Sequence, residues 1–459
     1  MNKKTTELLT PNRIDVFFKI LYLKLKQFGA TSLAEKIYKN HIRIITNGIY
    51  TEEGSNKKSY SDYLEEFNDL FISIKKHGFN EYKSTLPLAK NGTITNGAHR
   101  LAICAFLKIQ SIPVISLNEP QHTYDYNFFF KRGMSKSLID FAILEFLLIT
   151  NNNFLAVIWP SADKKIDYLK EFDNLIYEKK IKFNPRGAQS FVAQVYKKHE
   201  WVGSFEEGYG GVLNKVNETF RDFSPLHLIF FKATSLKDVL KIKRKLRNIF
   251  DIEKSSIHIT DNDEETNELS KIVLNKNSLH FLNFALPQKY PSVLRTINLF
   301  KEYLIVNNLN FNNVAISGDY VLTIYGMKNY KEINFLTLDN KIVKSKYFKN
   351  QNNESDHYNK EISELIYNPE NYFYFQGLKF VSLENIILFK SNRNIGFDEL
   401  DVKLIQKLFK YQKNNISNSI VDFVNNYKYK FIGLMITVTK RIGVYEISKR
   451  TYKIIAKYL

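Results

Sequence analysis

Between Ser61 and Phe79 the apolar residues Leu64, Phe67, Leu70, Phe71 and Ile74 recur at the three-and-four spacing of one helix face, with Ser61 and Asp62 at its start and Gly78 as its stop. The period then changes. Thr85–Leu117 reads as two short strands joined at Asn91-Gly92, where both residues accept the positive φ of a tight turn. The second strand, Gly92–Asn96, runs into a helix through about Leu107, and a third strand covers Ile112–Leu117. Upstream, Val16, Phe17, Ile20, Leu21 and Leu25 predict helix within Arg13–Lys39, and Asn40–Tyr50 predicts a short strand with a second Asn-Gly turn.

Further along, Tyr126–Thr150 carries a Phe triplet and then a helical run over Ser135–Ile149. Phe154–Trp159 is a buried strand stopped by Pro160. A helix over Lys164–Leu175, a strand over Ile176–Ile181 and a helix over Ala188–Lys198 follow. The alternation continues with a strand at His227–Phe231, a basic amphipathic helix at Ser235–Ile249, a strand at Ser256–Thr260 and a helix over Asp261–Val273. Pro287–Pro291 reads as a linker, and Asn313–Asn340 as strand, Gly turn, short helix and second strand. The pattern predicts an α/β (α+β) multidomain protein, divided at 1–125, 126–225, 226–415 and a basic helical tail, 416–459.

A chain of 459 residues is too long for one core, and 44% hydrophobic residues with 14% aromatic are enough to bury several. Formal charge of +19 suits nucleic acid, an anionic membrane surface or polyphosphorylated ligands. The excess is mostly Lys spread along the chain, without the Arg block of a sequence-specific DNA reader. One cysteine excludes an intrachain disulfide and a cysteine metal site. A polar Met1–Arg13 and the lack of a long apolar run predict a cytoplasmic location. Within Ser417–Leu459, apolar Phe431–Val438 lies between Lys430 and Lys440-Arg441, ahead of the basic Tyr445–Leu459. That tail fits either peripheral contact with an anionic membrane or docking on the core with a solvated basic face.

Candidate chemistry centres on Asn96-Gly97-Ala98-His99-Arg100. A strand that breaks at glycine and restarts as a helix aims free N–H groups at one spot, where phosphate is the natural occupant. His99 and Arg100 add a titratable and a permanent donor there. With "SIKKHGF" before it and "IPV" after it, this stretch resembles the ParB/sulfiredoxin superfamily, over roughly Asp62–Leu117. The resemblance implies a nucleotide phosphate site holding ATP or CTP with Mg²⁺. Sulfiredoxins have cysteine where this chain has Ala98, so reductase chemistry is not expected. The kinase branch has aspartate where Asn96 stands, so a kinase reading must draw its base from Glu65, Glu66 or Asp69, with His99 beside the phosphates.

The stretch Asn313–Asn340 resembles the nucleotidyltransferase fold, with Gly318 in the phosphate turn, Asp319 where serine is usual, Glu332 at the first Mg²⁺ position and Asn334 in place of the second carboxylate. Lys390, Arg393, Asp398 and Asp401 resemble the "K..R…KD..D" end of such domains. Two fainter candidates are the glycines Gly208, Gly210 and Gly211 ahead of Lys215, as a phosphate cradle or a plain glycine turn, and His258 with Asp261, as a catalytic or metal-binding pair or a structural histidine.

Two nucleotide-handling resemblances favour a phosphoryl- or nucleotidyl-group transferase. The layout also resembles proteins encoded in bacterial capsule or surface-glycan gene clusters, which implies a small-molecule or glycan acceptor and a place in polysaccharide biosynthesis. The competing expectation is a nucleotide-gated, ParB-like nucleic-acid-binding protein in which neither site is catalytic. A third is a structural partner tethered by the tail.

Overall fold

The computed structural model describes residues 1–51, 56–80, 85–162, 167–339 and 345–415. The basic tail expected over 416–459 lies outside them, as do the membrane readings attached to it.

The first unit contains β1 (Asn2–Lys4), α1 (Asp15–Gln27), α2 (Thr31–Ile45), α3 (Tyr60–His77), β2 (Leu86–Leu88), α4 (Ala98–Phe106) and β3 (Ser111–Ser116). β3 is the middle strand, antiparallel to β1 and parallel to β2. α1 is buried nearly all round and packs on α2 and α4. The helix expected over Arg13–Lys39 is two helices, broken where Gly29 takes φ +77°. The strand expected within Asn40–Tyr50 is instead the last turns of α2. Leu33, Ile37, Tyr38, His41, Ile42 and Ile44 are buried on that helix, and the local Ile run concealed the helical spacing.

α3 starts with a reciprocal capping box between Ser59 and Asp62 and stops at Gly78, close to the expected ends. The Asn91-Gly92 turn forms, with Gly92 at φ +82°, but its second arm is a single bridge from Ile94 to Leu88.

The second unit runs α5 (Tyr126–Lys131), α6 (Lys136–Ile149), β4 (Asn153–Ile158), β5 (Leu175–Ile181), α7 (Pro185–Val195), α8 (Leu213–Thr219), β6 (Leu226–Lys232), α9 (Leu236–Phe250), β7 (Ile257–Ile259), α10 (Asp263–Val273) and α11 (Lys276–Phe284). Its sheet has the order β5-β6-β4-β7 with every pair antiparallel. β6 is therefore an inner strand of the same sheet as β4 and β5, across the boundary expected at 225. Both faces are covered, which explains the unbroken apolar runs of β4 and β6. Leu155, Val157, Leu228 and Phe230 join the main core. Ala156, Ile158, Ile229 and Phe231 form a second core with Val239, Leu246 and Phe250 of α9. The helix expected over Lys164–Leu175 lies partly outside the described residues, and its described part holds one 3₁₀ turn, Leu169–Glu171.

The third unit comprises α12 (Val293–Val306), β8 (Val314–Ser317), α13 (Tyr320–Ile324), β9 (Ile333–Thr337), β10 (Phe348–Asn350), α14 (Ile362–Tyr367), β11 (Tyr372–Phe375), β12 (Leu378–Val381), α15 (Leu383–Arg393) and α16 (Asp398–Asn415). Its mixed five-stranded sheet has the order β10-β9-β8-β12-β11. β8 is antiparallel to β9 and parallel to β12, so the Gly318 turn leaves from the central strand. One apolar core runs through all three units. No helix among the described residues is long and apolar enough to cross a membrane.

Candidate phosphate-binding turns

Gly97 takes φ +86° between Ile94 and α4. An added Cβ would strike Leu86 Cδ2 and lie 2.8 Å from Arg100 Nη2, so both conformation and space require glycine. Asn96 Oδ1 accepts the Gly97 N–H. The amides of Ala98, His99 and Arg100 open α4, where a helix has no internal acceptors for them.

Arg100 folds back over this turn. Nη1 donates to the Thr85 carbonyl at 3.3 Å while Nη2 lies beside Gly97. Among the described residues no carboxylate pairs with it. Burial lowers its pKa from the ordinary value, and its titratable neighbour is the Cys104 thiol, itself pushed by burial up to about 12.

His99 Nε2 lies 2.8 Å from Tyr38 Oη, and its ring stands edge-on to Phe67 at 4.7 Å. Tyr38 O–H donates to the Tyr63 carbonyl at 3.3 Å, an arrangement satisfied when His99 Nε2–H donates to Tyr38. Burial, reinforced by Lys19 and Lys57, holds the imidazole well below its usual pKa, so it is neutral. Behind it lies a buried ionic group. Arg13 Nε and Nη2 reach Asp15 at 2.8 and 3.0 Å, Lys19 reaches Asp15 at 3.3 Å, and Arg13 Nη1 donates to the Ile94 carbonyl. Burial would raise the Asp15 pKa, but Arg13 and Lys19 outweigh it and hold the carboxyl well below its usual range. Arg13 thereby ties the start of α1 to the bridging residue Ile94 ahead of the turn.

The carboxylates expected to act at this turn lie elsewhere. Phe67 is the α3 residue facing His99, and at 100° per residue Glu65 and Asp69 sit roughly 160° around the helix from it. Both are exposed. Glu66 is exposed and pairs with Lys57 at 3.1 Å.

The second turn is built alike but filled differently. Gly318, at φ +63°, joins β8 to the short α13, and an added Cβ would lie 3.0 Å from Asn334 Nδ2 and 3.1 Å from Gln351 Oε1. Gly318 and Asn334 are thus neighbours. Asp319 pairs with Lys390, whose Nζ is also 3.1 Å from Asp398 and 2.9 Å from Asp401. Lys390 is 1% exposed. Asp398 takes a bidentate fork from Arg393 at 2.8 and 2.9 Å, and Arg393 continues to Glu354 at 3.1 Å. Asp401 also accepts from Lys328 at 3.2 Å and Tyr330 at 2.9 Å.

The carboxylate oxygens of Asp319, Asp398 and Asp401 lie within 4.8 Å of one another, near enough to share a metal ion, but the Lys390 ammonium contacts all three. Glu332 is not part of this group. It is half exposed and pairs with Lys349 at 2.6 Å on the neighbouring strand. Asp339, just after β9, accepts from the Asn310 backbone and the Asn313 side chain, each at 2.8 Å.

The fainter candidates have local explanations. His258 pairs with Glu265 at 3.0 Å rather than with Asp261, and the second Glu265 oxygen accepts the Asp261 N–H at 2.8 Å. Gly211 lets the backbone pass against the Trp201 carbonyl, and Lys215 donates to the Lys254 carbonyl at 2.8 Å. Tyr38, Thr85 and Arg13, which organise the first turn, carry no sequence signal, because each comes from a separate element with no fixed spacing to His99.

Fold and geometry together define a class, a mixed α/β protein with three separate sheets. No family model, curated protein or solved structure matches the chain.

Proposed function

We propose that the Asn96–Arg100 turn binds the phosphates of a nucleoside triphosphate, ATP or CTP with Mg²⁺, and that the chain is a nucleotide-dependent phosphotransferase acting on a hydroxyl. The observation that carries this reading is Arg100, a guanidinium held across a left-handed glycine at a helix N-terminus with no carboxylate partner among the described residues. Transfer would work by positioning and charge neutralisation. The acceptor oxygen attacks the terminal phosphorus, the bond to the bridging oxygen breaks, the nucleoside diphosphate leaves with Mg²⁺, and the hydroxyl proton passes to water. Nucleotidyl transfer at the third unit is not part of the proposal, since Lys390 neutralises the acids that would hold Mg²⁺.

A second reading, a non-catalytic nucleotide-gated binding protein, is favoured by the outward placement of Glu65 and Asp69. Titration of wild type and Arg100→Ala with Mg²⁺-ATP and Mg²⁺-CTP tests both readings. Binding lost in the variant supports the phosphate site, and wild-type protein that binds neither nucleotide removes it. Phosphate release or transfer to a panel of hydroxyl acceptors then separates enzyme from gated binder.

A further inference from the structure

One end of the second sheet opens into a cavity of about 760 Å³, within the size range of small-molecule sites. Trp159 follows β4, Glu178 and Lys180 lie on the edge strand β5, and His227 lies on β6. Lys180 is registered opposite His227 and Glu178 opposite Ile229, so Glu178, Lys180 and His227 share one face of the sheet, whereas the Trp159 indole packs with Phe191 and Phe220 in the main core on the other face.

His227 is contacted at both ring nitrogens. Tyr168 Oη lies 2.7 Å from Nδ1, and its ring is fixed edge-to-face on Phe250 at 5.3 Å. Glu178 Oε2 stands 2.8 Å from Nε2, off the straight N–H···O line. A carboxylate on that side favours the tautomer with Nε2–H, leaving Nδ1 to accept the phenolic proton. An inert bridge between β5 and β6 would account for these contacts. It would not account for an open cavity walled by His227, whose buried Nε2 lacks a well-aligned hydrogen-bond partner, together with the exposed Lys180 and Asp167.

We propose that this cavity binds a small polyhydroxylated molecule, with Tyr168, His227 and Glu178 as a hydrogen-bonded relay that polarises one of its hydroxyls. The wall sets a donor (the Lys180 ammonium) beside acceptors (the Asp167 and Glu178 carboxylates). Mixed charge disfavours a simple anion or cation. A hydroxyl, which donates and accepts at once, answers both sets. The site is independent of the phosphate reading and shares no residue with it.

The full wild-type chain is titrated with glycerol, ribitol and D-glucose by isothermal calorimetry. The expected result is a saturable change with at least one probe, weakened ten-fold or more by His227→Gln and by Glu178→Gln. Lys180→Met and Asp167→Asn, at exposed positions, guard against misfolding and should weaken the same probe about three-fold. A linear response to all three probes, or an affinity unchanged in folded His227→Gln, overturns the proposal. Arg100→Gln leaves this titration unchanged, so failure of nucleotide binding and failure of this site are read separately.

Discussion

The turns at Gly97 and Gly318 share one device, a left-handed glycine from which a helix starts, although a full strand leads only into the second. They differ in what surrounds the charge. Arg100 lies over the first turn with no described carboxylate near it, whereas at the second Lys390 and Arg393 are matched by Asp319, Asp398, Asp401 and Glu354. An unmatched cation at a helix N-terminus invites an anion from solution. A matched network inside the fold is internally satisfied and acts as a fastener between α13, α15 and α16. Similar local sequence thus meets two different charge environments, and the counter-charges of the second turn come from far along the chain.

The strongest way to break this contrast is to unbalance the second turn. Lys390→Met leaves three clustered carboxylates uncompensated and should cost about 3–5 kcal/mol of stability, measured by urea denaturation. If the ammonium stands where a cation belongs, millimolar Mg²⁺ or Mn²⁺ should restore part of that loss in the variant and change wild type little.

Glycine replacement probes the backbone of both turns. Gly97→Ala meets Leu86 and Arg100 at positive φ and should cost about 1–3 kcal/mol while abolishing nucleotide binding. Gly318→Ala meets only the ends of two amide side chains and should cost about 1 kcal/mol, with nucleotide binding kept. Equal effects on binding would erase the distinction.

Acid titration sharpens the comparison further. Burial would raise the Asp398 pKa, but Arg393 and Lys390 hold it down to about 2 from an ordinary 3.8. A depressed folded pKa adds stability above the unfolded value and loses it as pH falls through the folded one, so this contribution should disappear between about pH 5 and 2. Asp398→Asn should flatten that limb in denaturation curves measured across the range. The smallest structural effect belongs to Arg100→Gln, whose stability should stay within about 0.5 kcal/mol of wild type while nucleotide affinity falls at least ten-fold.

Much of the fold was legible because period and punctuation agreed. α3 carries both caps and an apolar stripe, and the apolar runs of β4 and β6 mark strands covered on both faces. The Ile run after His41 misled because β-branched residues suit strands, yet here they complete a buried helix face. The sheet joining β6 to β4 and β5 was hidden because strand pairing is a long-range choice that local pattern does not encode. At the sites, the motif residues Gly97, His99, Arg100, Lys390, Asp398 and Asp401 were readable as types at fixed spacing. Their partners were not. Tyr38 comes from α2, Lys328 from a loop and Glu354 from a 3₁₀ helix, so spacing alone could not show that the second turn is matched by carboxylates while no described carboxylate pairs with Arg100 at the first.

The most direct test is backbone amide hydrogen exchange of the full chain with and without Mg²⁺-ATP and Mg²⁺-CTP, read over Gly97–Arg100 and Gly318–Tyr320 in one experiment. Slowed exchange at the first turn and no change at the second is the predicted result. Protection at Gly318–Tyr320, or at neither turn under saturating nucleotide, would contradict the account.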